Sequence, residues 1–272
     1  MEHNEAHGDK WDALGFSDEE ALDLIQESVQ RGTTRKDMQS KLNQSGYELV
    51  PIVYPEQRPV KICSLITMKP DGNTADAFYP IFEGHKNTIK IINKYTWENG
   101  LEGEVEFFRD KQFDLSFYAP FYNKDFSNIE MNLEQEVYLA GLAFIVECVN
   151  EQKYEISKGD VYKMALQDFL KDNPGKTAID FPSVTIHMAG AIILFPTSYS
   201  SEYEFRSRIL SCEKFDVFNK TIYKVGIYLS KEDDVGKYKI NLYASEKTLK
   251  GYLPKIGDEI QGALILSGYK HY

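Results

Sequence analysis

Apolar residues beyond position 60 recur mostly at every second position, the period of a half-buried strand. Val60, Ile62 and Ile66 share one side, as do Ile89, Ile91, Tyr95 and Trp97. Leu101, Val105 and Phe107 alternate with Glu102, Glu104 and Glu106, and Phe113, Leu115, Phe117 and Ala119 with Asp114, Ser116 and Tyr118. Residues 137–149 are almost continuously apolar, which predicts a strand buried on both faces. Further strands are predicted over 183–195, 203–212, 221–230, 237–245 and 258–267, the last introduced by the turn Lys255-Ile256-Gly257-Asp258. One helical stretch interrupts them. Val161, Met164, Ala165, Leu166, Phe169 and Leu170 follow helix spacing over Gly159–Lys171, and Asn173-Pro174-Gly175 ends it.

The N-terminal segment reads differently. Residues 1–15 are polar and expected to be loose. Ser17 with Glu20 three positions on forms a capping box, Leu22, Ile25 and Val29 give an apolar stripe, and Gly32 is the stop. A second short helix, capped by Thr33 or Thr34 and carrying Met38 and Leu42, would run to Gly46 and complete a hairpin over 17–45. The spacing resembles a helix-turn-helix, with Arg35 and Lys36 at the second helix start. The acidic first helix and the lack of a third helix favour a packing or partner-binding role. Pro51, Pro55 and Pro59 then mark an extended linker.

Two segments look alike. Phe113–Ala119, a loop and Glu136–Ile145 match Tyr238–Ala244, a loop and Glu259–Leu266, pairing Tyr118 with Tyr243, Ala119 with Ala244 and Gly141 with Gly262. Duplication would give each half about five short strands, with a glycine for a sharp bend. That plan resembles small OB-like barrels, as does Gly257-Asp258-x-Ile260-x-Gly262. The expected fold class is therefore mainly β (α+β overall): two OB-like barrel or sandwich units. Its divisions are an acidic arm and helical hairpin (1–46), a linker (47–59), a first β unit (60–150), a connecting helix (151–182) and a second β unit (183–272).

Composition, with 42% hydrophobic and 27% charged residues, is that of a globular chain and excludes wholesale disorder. The net charge of −11 is uneven: residues 1–30 hold nine acids and one base, Lys10, so the body is nearly neutral. Non-specific nucleic-acid binding by the whole chain is disfavoured. Cys63, Cys148 and Cys212 are far apart with no metal-ligand spacing, which suits buried reduced thiols. Met1–Glu5 has no leader character, so a cytoplasmic location is expected. No apolar run approaches the roughly 20 residues of a membrane span.

Common catalytic constellations are missing. There is no Gly-x-Ser-x-Gly elbow, and Ser198, Ser200 and Ser201 read as a solvated turn. Cys148 and Cys212 read as filler. His3 and His7 lie in the arm, His85 in a turn, and His187 on a strand without an assignable acidic partner. Gly175-Lys176-Thr177 lacks the upstream glycine of a phosphate loop and follows a helix. Asp71, Glu83 and Lys86 have the wrong spacing for a nuclease. Glu102, Glu104 and Glu106 read as a solvent face that repels phosphates. Neither a metal nor a cofactor is called for.

Binding surfaces remain. Arg206 and Arg208 share one side of their strand; Lys224 with Tyr228, and Lys239 with Tyr243, share the outward sides of theirs, and Tyr118 matches Tyr243. Bases interleaved with aromatics suit a ligand-binding face. The expected role is non-catalytic binding or scaffolding, using this surface and the acidic arm, with a protein partner. The alternatives are single-stranded nucleic-acid binding by an OB-like barrel and a hydrolase with a dispersed site around His187.

Overall fold

The computed structural model describes residues 9–35, 47–108, 114–150, 153–181, 183–230 and 238–270. The chain forms helices α1 (Lys10–Ala13) and α2 (Asp18–Arg31), then strands β1 (Thr33–Thr34), β2 (Glu48–Tyr54), β3 (Val60–Met68), β4 (Thr74–Phe82), β5 (His85–Thr96), β6 (Gly103–Phe108) and β7 (Asp114–Ala119). Next come α3 (Tyr122–Asp125), β8 (Glu134–Cys148), β9 (Lys153–Ile156), α4 (Asp160–Asp172), β10 (Val184–His187), β11 (Ile193–Pro196) and β12 (Glu202–Arg208). β13 (Ser211–Val217), β14 (Lys220–Tyr228), β15 (Lys239–Ser245), α5 (Glu246–Leu249) and β16 (Glu259–Tyr269) complete it. Two compact units result, one of residues 1–148 with 192–272, the other of residues 149–191.

In the larger unit five strands close a ring in the order β5-β6-β7-β16-β8. All neighbours are antiparallel except β16 and β7, which meet in parallel at Ser267 and Tyr118. β8 and β16 outrun this barrel. β8 also pairs in parallel with β15, Tyr243 opposite Leu142, and β15 continues through β14 to β13. β16 also carries β12 and then β11. β12 and β13 are separated only by Ile209 and Leu210, whose amides donate to Asp258 O and Gly226 O. The continuous apolar pattern of 137–149 is thus explained: β8 runs through the centre of a ten-stranded sheet.

Independent closure of a 60–150 unit and a 183–272 unit is not what forms. Strand β16 of the second segment completes the ring begun by the first. The reason is length: a strand of eleven or fifteen residues has pairing capacity left after one small barrel is satisfied. Gly262 permits the approach of β16 to β8, because a Cβ there would lie 1.9 Å from the Ile145 carbonyl oxygen.

Residues 33–34 and 48–82 form a separate sheet, β1-β2-β3-β4. The expected linker is therefore largely strand β2, Pro51 facing Leu65. Leu49, Val53, Cys63, Leu65, Tyr79 and Ile81 of this sheet pack on Trp97, Leu101, Tyr118 and Phe121, a covering layer over the outer side of the barrel.

The N-terminal expectations are partly replaced. The Ser17–Glu20 capping box forms. Its helix buries Ala21, Leu24 and Ser28 and leaves Leu22 and Val29 exposed, because small residues admit close contact with β3, Ser28 Oγ lying 2.6 Å from Ser64 Oγ. Residues 9–16 are not a loose arm: Trp11, Ala13, Leu14 and Phe16 are buried against Val60, Phe82, Leu142 and Tyr243. Thr33 and Thr34 pair with β2 instead of capping a helix; the predicted Met38–Leu42 helix lies outside the described residues.

The smaller unit holds the β9–β10 hairpin and the expected helix α4, on which Tyr162 and Phe169 pack against Phe181. None of its described residues is buried.

Candidate functional site

The seven residues expected to form a ligand surface do not share a solvent face. Arg206 is buried and pairs with Glu259 at 2.8 Å, while Arg208 is exposed, 3.6 Å from the same carboxylate. Tyr118 and Tyr243 are both buried. The Tyr243 hydroxyl donates to Glu83 O, and Lys224, directly opposite Tyr243, pairs with the Glu83 carboxylate at 2.7 Å. Tyr228 and Lys239 face each other, half-buried. The alternation was read correctly, but N-terminal segments cover Tyr118 and Tyr243.

The same covering changes the acidic row. Glu102 and Glu104 are buried, at 0% and 3% exposure, and only Glu106 keeps partial access. Glu102 sits in the β5–β6 turn, fixed by Asn99, whose Oδ1 accepts the Leu101 and Glu102 amides at 3.0 Å and whose Nδ2 donates to Glu102 Oε2 at 2.6 Å. The Tyr118 hydroxyl donates to the other Glu102 oxygen. Glu104, opposite Tyr118 on β6, accepts from Ser200 Oγ.

Ser200 and Ser201 belong to the β11–β12 turn and are buried, not solvated. Ser201 takes a positive φ of 65°, and its amide donates to Ser116 Oγ at 2.8 Å. Its own Oγ, buried, has no hydrogen-bond partner among the described residues. The Tyr203 hydroxyl accepts from the Ser116 amide at 2.6 Å and donates to its carbonyl at 3.0 Å, closing the polar strip.

Into this group projects Lys10, the one base of the first thirty residues. Its residue is 4% exposed, and its Nζ lies 3.7 Å above the centroid of the Tyr118 ring without a hydrogen-bond partner. Trp97 stacks at a tilt on the same tyrosine, 5.2 Å between centroids. Desolvation lowers the Lys10 ammonium to about 8, outweighing the opposing pull of Glu102, Glu202 and Glu104. Burial raises the Glu202 carboxyl and holds the Tyr79 and Tyr118 phenols well above their usual range. A cavity of about 20 Å³, room for a single water, adjoins Lys10, Trp97, Glu104, Tyr118, Ser200, Ser201 and Glu202.

No sequence signal for this cluster was read beyond its residue types. Lys10 beside Trp11 in an otherwise acidic segment is the one feature that marks it. The remaining candidates stay apart. His187 is exposed on β10. Cys63 is a buried thiol raised by desolvation to about 12 and so an inert one. Among the described residues no three His, Cys, Asp or Glu side chains converge as metal ligands. No helix among them is long and apolar enough to cross a membrane. Comparison with protein-family models, curated proteins and solved structures gives no match.

Proposed function

We propose that the chain is a non-catalytic binding protein that docks a protein partner through residues 149–191, carried on a barrel of OB-like strand order. The observation that carries this reading is the surface of that inserted unit. Helix α4 leaves Val161 53% and Met164 67% exposed, Ile179 is 95% exposed, and none of the described residues of the insertion is buried. An ordered segment with apolar side chains and no closed core is suited to completion by a partner.

Strand order supports the OB-like reading. With β5, β6, β7, β8 and β16 counted one to five, the ring runs 1-2-3-5-4, three and five are parallel, and α3 lies between three and four. Register supports a duplication in which each half lends its long strand to the other. A shift of 125 positions turns the pair Leu142–Ile265 into Ser267–Ala140 when read from the other strand, and carries Tyr118 and Leu142 onto Tyr243 and Ser267. Tyr118 with Tyr243 is the match the sequence suggests; Gly141 falls opposite Leu266 and is not equivalent to Gly262 in this register.

The faces that OB folds commonly offer to oligonucleotides speak against nucleic acid. In the closed barrel that face carries Glu102 and Glu104 beneath a covering sheet. On the matching strands of the later half, Lys224 is paired with Glu83 and Tyr243 is buried. The acidic arm is likewise engaged within the chain, Asp12 with Lys247 and Glu20 with Lys220 at 2.8 Å.

A photo-crosslinking residue at position 164, compared with one at exposed Glu213, tests the proposal in the cells that express the chain. Position 164 should give a discrete protein adduct that Val161→Lys removes. Adducts equal at both positions, or a retarded complex with oligo-dT at low salt, would overturn it.

A further inference from the structure

We propose that Trp97, Tyr118, Glu102, Glu104 and Glu202 form a cage for a primary ammonium group, which Lys10 of the chain's own N-terminal segment fills. This inference is independent of the docking role of residues 149–191.

The cage has the two elements that recognise an ammonium on an apolar stem. The Tyr118 ring face lies 3.7 Å from Nζ, and an electron-rich face attracts a cation there. Burial works against the charge and lowers the Lys10 amine to about 8, while three carboxylates, Glu102, Glu202 and Glu104, oppose it with Coulombic attraction, so the group is still largely protonated at neutral pH. Acidic side chains alone would not define a site. Two buried atoms of residues that line the same small cavity do more: Lys10 Nζ and Ser201 Oγ, neither with a hydrogen-bond partner among the described residues. An ammonium carries three donors. A single water in that cavity, shared by Nζ, Ser201 Oγ and the Glu104 carboxylate, would satisfy both atoms. With Lys10 in place only about 20 Å³ is left beside the ring, room for a water and not for a bulkier head group in the position of its ammonium.

Lys10 is delivered by contacts that do not involve its amine. Trp11 stacks on Phe78 at 5.4 Å, Ser245 Oγ donates to Ala13 O at 2.6 Å, and Asp12 pairs with Lys247. Removing the side chain therefore leaves the segment docked and a slot open behind it. That slot would accept a free alkylammonium, or a lysine side chain of another protein.

Chemical rescue tests this on the full chain. Lys10→Ala is titrated with n-butylammonium chloride, against n-butanol, sodium chloride and tetramethylammonium chloride, with thermal unfolding as readout. The cage predicts a saturable rise in Tm of about 3 °C or more with butylammonium alone. The rise should be absent from the wild type, whose cage is full, and reduced in Lys10→Ala/Glu104→Gln. If Lys10→Ala does not fold unaided, the yield of soluble protein on refolding with each additive becomes the readout, with the same ranking expected. Equal effects of butylammonium and butanol, or a rescue untouched by Glu104→Gln, would overturn the proposal.

Discussion

Excision of residues 149–191 is the sharpest test of how the larger unit is built. Its two ends lie on one row of the sheet: Glu147 faces Gln261, Gln261 faces Arg206, and Arg206 faces Ile193. Three strand spacings separate them, about 14 Å. An eight-residue Gly/Ser linker has a root-mean-square span of about 16 Å and bridges that gap without strain. The insertion contributes no buried residue among those described, so no core is lost. Shortening the connection about fivefold lowers its closure entropy by about 1.4 kcal/mol. The excised protein should therefore unfold in one cooperative transition, with Tm unchanged or raised by about 3–5 °C. Scanning calorimetry and urea titration of both forms measure this. A loss of more than about 2 kcal/mol, or a broadened transition, would refute the reasoning by showing that the insertion supports the barrel.

Three further outcomes follow from the packing. Arg206→Ala removes the buried partner of the Glu259 carboxylate, leaving the exposed Arg208 at 3.6 Å, and should cost about 3 kcal/mol in urea unfolding, whereas Arg206→Met with Glu259→Met together should lie within about 1 kcal/mol of wild type. Gly262→Ala forces a methyl onto the Ile145 carbonyl and should destabilise by about 2 kcal/mol or more, while Gly257→Ala, open on all sides though at positive φ, should cost only about 1 kcal/mol. The third is pH-dependent. Lys10 titrates near 8 when folded and at 10.5 when unfolded, so the unfolded chain binds more protons between these values and stability rises with pH. Relative to Lys10→Met, the wild type should gain about 2–3 kcal/mol between pH 7 and pH 10, and a pH-independent difference would contradict the buried ammonium.

Local pattern carried most of the strands and helix α4 to within a few residues, because alternation and helix spacing are set by neighbours in sequence, but the strand expected over 183–195 is two, β10 and β11 in different sheets, and β4 and β9 were not anticipated. Tyr118 and Tyr243, matched in the sequence, each sit at a parallel junction, opposite Ser267 and Leu142. What the pattern could not hold was which outward face would be covered. Glu102 and Glu104 alternate like solvent residues, yet the β2–β4 layer and Lys10 close over them. Tyr243 and Arg206 were read as accessible and are buried by segments far away in sequence. Proline punctuation in 51–59 suggested a linker, but Pro51 and its neighbours sit in a sheet whose β1 edge is only two residues long, with Pro51 O accepting the Arg35 amide. The assignment of partners among long strands was the largest omission. Nothing local reveals that β16 closes a ring started 170 positions earlier.

That closure positions everything else: the covered acidic face, the lysine seated on it, and the single excursion of 149–191. Nuclear Overhauser contacts between backbone protons across the two parallel junctions measure it directly. The account predicts contacts of Ser267 with Tyr118 and of Tyr243 with Leu142, each joining the early half of the chain to the late half. Strands 114–119 and 239–245 that contact only neighbours from their own half would contradict it.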